Sequence, residues 1–576
     1  MQVKRWLLPP RYPEAAELAR QVPVAVPAAR VLWHRGIRDV ATARAFLSAE
    51  LDQLHDPFLM KGMHAAVDRL WRAIRRRERI LIYGDYDADG ATAVVILKKA
   101  IELAGGTAEY VVPDRFAHGY GVHSEFIEQA ARRGVSLLVS VDTGIRAASA
   151  LERAAELGLD VIVADHHLPG QQLPRALAIL NPRQPGCPYP EKNLCGTGIV
   201  FKLIHGLLVR CGWSGKKLEA LLDSFLKMVA IATVADVVPL VGENRVFVQR
   251  GLAALESVKN PGLRALLEAA GIRSGREVAA HEVAFRIAPR INAAGRMASA
   301  VQAIELFLTD DEDQARDLAE RLNQWNAERQ RAEERILDEI ERRWASEPAL
   351  SERRSLVFAG EGWHLGVVGI VASRLVERFY RPCFVLGIEP DTGLVRGSGR
   401  SIRGLHLLAA LEDMSDLFER YGGHAQAAGV TLRRERLEEF ERRLEQYCRE
   451  RLDLTELQPV LEVDSFLDLE ELDEGAFTDL LRLGPFGYGN PPPVFVIENA
   501  CLVGEPRRLG ESHLQLWLKQ GTRQIAVRGW KLADREEELR SLGYFSAAIS
   551  IEANPEGPAR GYAPWTVNLL DFQPAR

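Results

Sequence analysis

The stretch Tyr83–Gly90, YGDYDADG, sets Asp85, Asp87 and Asp89 at alternate positions directly after an apolar run. The alternation matches the opening of an EF-hand calcium loop, D-x-[DN]-x-[DN]-G. Such a loop needs a chelating Glu at its twelfth position. Counted from Asp85, that position is Ile96, inside AVVILKKA. The calcium-loop reading fails there, and the aspartates need another use. Three further stretches are chemically similar: VSVDTG holds Asp142, VIVADHH holds Asp165, His166 and His167, and TVADVVPL holds Asp236. One carboxylate at a strand end is an ordinary helix cap, but four such clusters exceed what capping requires. Gathered together, unpaired carboxylates repel and need cations between them. Carboxylates with one or two histidines and no thiolate favour Mn²⁺ or Mg²⁺ over structural zinc. This many ligands suits two ions about 3.5–4 Å apart, the separation used for in-line displacement at phosphorus. The chemistry implied is cleavage of phosphodiesters.

Three of these stretches end strand-length apolar runs, RILIYG, SLLVSV and LDVIVA, which alternate with helix-length spacers between about 65 and 200. That alternation predicts βαβ units and a parallel sheet. Ligands of such sheets lie beyond the carboxyl ends of the strands, where Asp85 to Asp89, Asp142 and Asp165 to His167 fall. Asp236 follows a helical run instead. Residues 1–50 read as a leader with helical pieces, 51–200 as the catalytic α/β domain and 201–308 as its helical part.

From Asp310 to Glu347 the chain has neither Gly nor Pro, and Pro348 follows. Thr309 and Glu312 predict a capping box at the start of one long helix. Ala315, Leu318, Leu322 and Trp325 form one apolar stripe, Ala332, Ile336, Ile340 and Trp344 another. The NAERQRAEER between them lacks a large apolar residue. This predicts a strut of about 50 Å, packed at both ends and polar in its middle. Residues 348–453 predict a second α/β domain, and 454–576 offer five strands for a small OB-type barrel of the kind that binds oligonucleotides.

The 576 residues carry a net charge of −6, so binding to a polyanion depends on local basic patches. The six cysteines form no C-x-x-C pair, which predicts reduced thiols. No signal-peptide core is visible near the start, and no apolar run is long enough to span a bilayer. A cytoplasmic protein without membrane contact is expected.

YGDYDADG, VDTG, ADHH and VADVVPL resemble, in order and spacing, the DHH phosphoesterase superfamily. YGGHAQAAG at 421–429 resembles the second-domain signature of its larger members. RIAPRINAAGRM at 286–297 and LGPFGYGNPPPVF at 483–495 resemble the RecJ branch of single-strand-specific exonucleases. The resemblance covers most of the chain. It implies Asp87, Asp89, Asp142, His166 and Asp236 as metal ligands, with Asp142 bridging two ions of Mn²⁺ or Mg²⁺, and His167 facing the scissile phosphate. Small superfamily members have a His where this chain has Tyr83, so the ligand set of the first ion stays open. Asp85 either substitutes or only supports the loop.

Arg290 and Arg296 are candidates to neutralise the non-bridging oxygens, with Asn292 orienting one of them. RGSGRS at 396–401 reads as a nest of free backbone N–H groups for a terminal phosphate. By resemblance Arg115, Ser398 and Arg400 grip the 5′ end, Tyr120 stacks on a base, and His424 touches phosphate.

The activity implied is metal-dependent 5′→3′ degradation of single-stranded DNA to 5′-mononucleotides, in DNA repair and recombination. The expected partners are single-stranded DNA, single-strand-binding protein and a RecQ-like helicase, with the chain acting as a monomer. Two alternatives remain: a phosphodiesterase of short oligonucleotides or cyclic dinucleotides, and a non-catalytic single-strand-binding replication scaffold.

Overall fold

The computed structural model describes residues 4–115 and 117–575. After β1 (Arg5–Leu7), the first sheet is built from β2 (Arg79–Tyr83), β3 (Ala108–Val111), β4 (Val135–Val141), β5 (Asp160–Ala164) and β6 (Ala178–Leu180). All five run parallel in the order β3-β2-β4-β5-β6. The runs ILI, LLV and VIVA are apolar throughout because helices cover both faces of this sheet. Every strand therefore ends at the same edge, and the acidic stretches follow β2, β4 and β5.

The long helix spans Glu312–Ser346, 35 residues. Its cap is Asp311, whose carboxylate accepts from the N–H groups of Asp313 and Gln314. The expected Thr309–Glu312 box does not form, because Thr309 Oγ1 donates to Gln314 Oε1 instead. The polar middle is also not a solvated span. Asn326, Arg329 and Glu333 are buried, and Arg329 bonds both neighbours while Glu333 pairs with Arg374 of the Leu365–Phe379 helix. A buried ion network stands where periodicity alone predicted water.

The second lobe contains β7 (Leu356–Glu361), β8 (Cys383–Glu389), β9 (Leu394–Arg400), β10 (Phe418–Gly423) and β11 (Ala427–Arg433). Their order is β10-β11-β9-β8-β7, and only the β7–β8 pair is parallel. The Leu365–Phe379 helix packs on β8 and β9, which leaves the β9-β11-β10 side of that face turned towards the first lobe.

Beyond it, β12 (Val460–Glu462) pairs with β1, and β13 (Ser465–Phe466) joins β14 (Val494–Leu509). Strands β14, β15 (His513–Gln520), β16 (Arg523–Gly529), β17 (Phe545–Ala553) and β18 (Trp565–Pro574) close into a five-stranded barrel through the β14–β17 pairing. Leader residues such as Ala15, Leu18, Leu32 and Ala43 share one core with Phe495, Leu516 and Phe545. The leader is thus a buttress of the barrel. Among the described residues no helix is long and apolar enough to cross a membrane, and all six cysteines are unpaired.

Candidate metal centre

The loop after β2 turns straight into the Ala88–Leu103 helix. Asp87 caps that helix, its side chain accepting from Gly90 N at 3.0 Å. A Cβ on Gly90 would sit 2.6 Å from the Asp85 carbonyl oxygen, so only glycine lets the loop close this tightly. Helix Ala288–Met297 presses on the loop from outside: Asn292 Oδ1 accepts from Ala88 N at 2.8 Å, and a Cβ on Gly295 would collide with Tyr86 O.

Asp142 follows β4 with φ of 60°, a left-handed conformation uncommon for a residue with a side chain. Its N–H is held by Ala164 O at 2.9 Å. Such strain persists where surrounding structure over-determines it, and it concentrates at functional sites. Asp236 ends the Gly215–Ala235 helix, and the next residue, Val237, is also left-handed at 56°. The segment after it is pinned by the loop entering the barrel, through Leu240 N to Tyr488 O at 2.7 Å.

These elements bring together all six predicted ligands. Asp85, Asp87 and Asp142 form one group of ligand atoms within 4.8 Å of one another; Asp89, His166 and Asp236 form a second. His166 joins the groups, with Nε2 3.2 Å from Asp142 Oδ1 and Nδ1 3.6 Å from Asp236 Oδ2. Asp85, the open candidate, is buried in the first group.

No hydrogen bond reaches the buried oxygens Asp85 Oδ1, Asp142 Oδ1 or Asp236 Oδ2. Burial, then repulsion from Asp89, Asp87, Asp85 and Asp236, drives the Asp142 carboxyl far above the usual carboxylate range. Burial followed by Asp89 and Asp87 does the same to Asp236, and burial with Asp87 pushes Asp85 up to about 8. Burial pushes His166 down, keeping it neutral as a metal ligand must be. Orphaned acceptors, mutual repulsion and a neutral imidazole, without thiolate, fit Mn²⁺ or Mg²⁺.

His167 has a different setting. Its Nδ1 is 2.8 Å from Oδ1 of the wholly buried Asp165, which also accepts from the N–H groups of Ile145 and His167. Burial pulls the imidazole pKa down, but the Asp165 hydrogen bond and charge outweigh it and raise the pKa. The Tyr120 hydroxyl lies 3.1 Å from the same ring, so Tyr120 reaches into the centre while its side chain remains partly open to the cleft.

Three residues absent from the predicted set complete the centre. Besides Asp165, these are Gly196 and Thr197 at the start of the Gly196–Arg210 helix, whose N–H groups donate to the two Asp89 oxygens at 2.6 and 2.7 Å. Thr197 Oγ1 also bonds the Asp89 carbonyl at 2.8 Å, and a Cβ on Gly196 would lie 2.6 Å from Asp142 Oδ1. The only sequence signal is a glycine-rich helix start, LCGTG.

Other expectations are corrected. Arg290 bonds Asn323 Oδ1 of the long helix and Arg286 O, and its charged neighbours are Arg286, Arg329 and Glu320, so it does not face the acidic group. Asn292 holds the loop rather than orienting an arginine. RGSGRS is no nest: 396–400 belong to β9, with ladder partners in β8 and β11, so their backbone N–H groups are not free.

Arg296 does reach the centre. Burial and Arg115 lower its pKa to about 10, Asp87 and Arg400 are also neighbours, and Nη1 donates to Gly366 O across the lobes. Arg400 donates to Ser398 Oγ at 2.6 Å. The absence of a Cβ at Gly369 leaves room for both, and His424 sits in the β10–β11 turn near Arg400. Arg115, Tyr120 and Ser398 line a cleft of about 550 Å³ between the lobes.

A parallel sheet with carboxylates and a His pair beyond its strand ends, facing an arginine-lined second lobe, defines a metal-dependent phosphoesterase of the DHH class. Residues 79–233 match the DHH family N-terminal domain, 353–450 the DHHA1 domain and 463–555 the RecJ OB domain. The single-stranded-DNA-specific exonuclease RecJ of Bacillus subtilis strain 168 is 38% identical over 539 residues, covering 93% of this chain and 67% of that protein. The crystal structure of RecJ in complex with Mn²⁺ from Thermus thermophilus superposes with a TM-score of 0.83 at 32% identity, over 100% of this chain and 80% of that one. The corresponding Mg²⁺ complex gives a TM-score of 0.76 at 30% identity, over 100% and 79%. The chain belongs to the RecJ family.

Proposed function

We propose that the chain is a metal-dependent exonuclease that shortens single-stranded DNA from its 5′ end and releases 5′-mononucleotides, in DNA repair and recombination. One observation carries this reading: three buried carboxylate oxygens without hydrogen bonds converge beside an arginine-lined cleft. Asp87, Asp89, Asp142, His166 and Asp236, with Asp85, would hold two ions of Mn²⁺ or Mg²⁺, and Asp142 shares ligand groups both with Asp85 and Asp87 and with His166 and His167. Divalent ions supply Lewis-acid stabilisation of charge developing at phosphorus.

The chain's own groups do the rest. The N–H groups of Gly196 and Thr197 fix the Asp89 carboxylate. Asp165 Oδ1, 2.8 Å from Nδ1, fixes the His167 ring, which faces the scissile phosphate. Arg296 adds a positive charge beside Asp87. Arg115, Ser398 and Arg400 hold the terminal phosphate and so set the step length, and His424 stands at the edge of that grip.

The match of 463–555 to the RecJ OB domain favours a long strand over short oligonucleotides or cyclic dinucleotides. The intact set of acidic and His residues favours an enzyme over a scaffold. A monomer in the cytoplasm, meeting single-strand-binding protein and a RecQ-like helicase, completes the proposal. Digestion of single strands labelled at either end, with Mn²⁺ present, tests it. The 5′ label is expected in mononucleotide from the first turnover, while the 3′ label stays on shortening strands. Early release of the 3′ label, or equal attack on duplex, would overturn the reading.

A further inference from the structure

The ligands of the centre are not held alike. Asp89 receives two N–H groups and Asp87 one. Asp236 Oδ2 receives none, and His166 Nδ1 stands 3.6 Å from it. With no donor on that oxygen, the aim of the carboxylate depends on where the backbone sets it. That backbone is the C-cap of the Gly215–Ala235 helix, and residues 237–241, with the left-handed Val237, join it to the Gly242–Ala254 helix.

The turn that enters the barrel lies flat along this short connection. Tyr488 O accepts from Leu240 N at 2.7 Å while the Tyr488 side chain stays exposed, so backbone makes the contact. The glycines on either side permit it. A Cβ on Gly487 would lie 2.7 Å from Leu240 Cδ1, and one on Gly489 2.9 Å from Pro239 Cα. The turn is itself braced: Asn490 is buried, its Nδ2 donates to Leu483 O and Pro485 O at 2.9 Å, and its Oδ1 accepts from Arg35 of the leader at 2.6 Å. Leu483 and Phe486 root it in the core that barrel and leader share. On the first-lobe side, Asn244 Nδ2 donates to Pro239 O at 3.0 Å and to Asn193 O at 2.7 Å, on the run that leads to Gly196. Arg245 Nη1 then ties this helix back to Leu483 O at 2.9 Å. The connection behind Asp236 is thus clamped from both sides, and close packing passes any displacement of the clamp on to what it holds.

We propose that the turn at 487–490 is a positioning element for Asp236, so that the ion site of Asp89, His166 and Asp236 is complete only with the barrel docked. The barrel is then part of the metal centre and not only a surface for the strand. The proposal rests on the reading of Asp236 as a metal ligand and is independent of which strand end is cut.

The test reads Mn²⁺ binding to the chelated full chain by calorimetry, with the metal-free melting temperature alongside. Asp236→Asn identifies the ion that Asp236 holds, as the binding event that disappears. Gly487→Ala is the wedge: Gly487 has no left-handed φ, and the new methyl meets only Leu240, which is buried and has no room to swing aside. It should weaken that same ion roughly 10-fold, the lower end for partners that orient metal ligands, and leave the other ion unchanged. Adding Leu240→Ala vacates the space the methyl needs, and the pair should recover the affinity as coupled neighbours do. Gly489→Ala, which presses on Pro239 instead, should give the same selective loss and stands in if the first wedge does not fold. Both ions bound as in the parent, whatever the melting temperature, or both weakened equally, would overturn the proposal. An Asp236→Asn variant that keeps every ion would contradict the ligand assignment and the proposal with it. Turnover of single strands is measured separately: a selective loss of one ion in a chain without nuclease turnover would support the positioning role and contradict the exonuclease reading.

Discussion

In the first lobe, side chains gather beyond the strand ends of a parallel sheet buried on both faces. In the second, the bare face of a largely antiparallel sheet, with its glycines and arginines, lines the cleft. The acidic centre is held under electrostatic tension: Asp142 is 2% exposed, left-handed, and surrounded by like charges. The second lobe stores no comparable tension, because its arginines stand apart along one face and several are half-exposed. Chemistry and grip thus place opposite demands on a fold. A metal site must be over-determined by backbone that cannot relax, while a sliding substrate needs an open surface with replaceable contacts.

Disturbing the rigid side should cost most. Gly196→Ala places a Cβ against Asp142 and displaces the N–H that holds Asp89. Mn²⁺ affinity of the chelated protein, measured by calorimetry, should fall roughly 10- to 100-fold, as for partners that orient metal ligands. An unchanged affinity would mean that the close approach is incidental. The open side should answer more mildly. Arg400→Ala should leave metal binding intact and lower the preference for 5′-phosphate over 5′-hydroxyl ends roughly 10-fold, the scale of a hydrogen bond to a charged group. A parallel loss of metal affinity would contradict the division of labour.

The smallest effect concerns stability. The folded-state pKa values of Asp85, Asp142 and Asp236 lie above the ordinary carboxylate value. Between that value and the raised ones, the folded metal-free protein binds more protons than the unfolded chain. Its stability therefore falls as pH rises through this window, up to about pH 8 for Asp85. Added Mn²⁺ replaces the missing protons. The metal-induced rise in melting temperature should be larger at pH 8 than at pH 5.5 by roughly a few degrees, and a smaller rise at pH 8 would contradict the charge account.

How much of this was legible in the sequence follows the range of the interactions. Asp85 to Asp89, Asp142 and the DHH triplet announce themselves because each ends an apolar run, and strand ends of a parallel sheet share one edge. Asp236, at a helix end, was placed by motif rather than by pattern. Gly196 and Thr197 act on an aspartate more than 100 residues away, and nothing local marks them. Arg290 and Asn292 sit in a helix whose rotation decides what they face, which spacing within a motif does not specify. RGSGRS looked like a loop because glycine is poor in strands, yet here packing against Val385 and Phe384 requires it. The middle of the long helix read as solvated because its residues are charged, and only the neighbouring helix shows that the charges pair.

The decisive measurement is single-turnover release of nucleotide from a single strand at saturating Mn²⁺ by the parent chain and by Asp142→Ala. Asp142, which shares ligand groups both with Asp85 and Asp87 and with His166 and His167, should be indispensable, so the variant is expected to lose more than about 100-fold, beyond the cost of removing a supporting partner. Its metal-free melting temperature should hold or rise, since a carboxyl that burial and its acidic neighbours disfavour is gone. Near-normal release by the variant would contradict the assignment of catalysis to this centre.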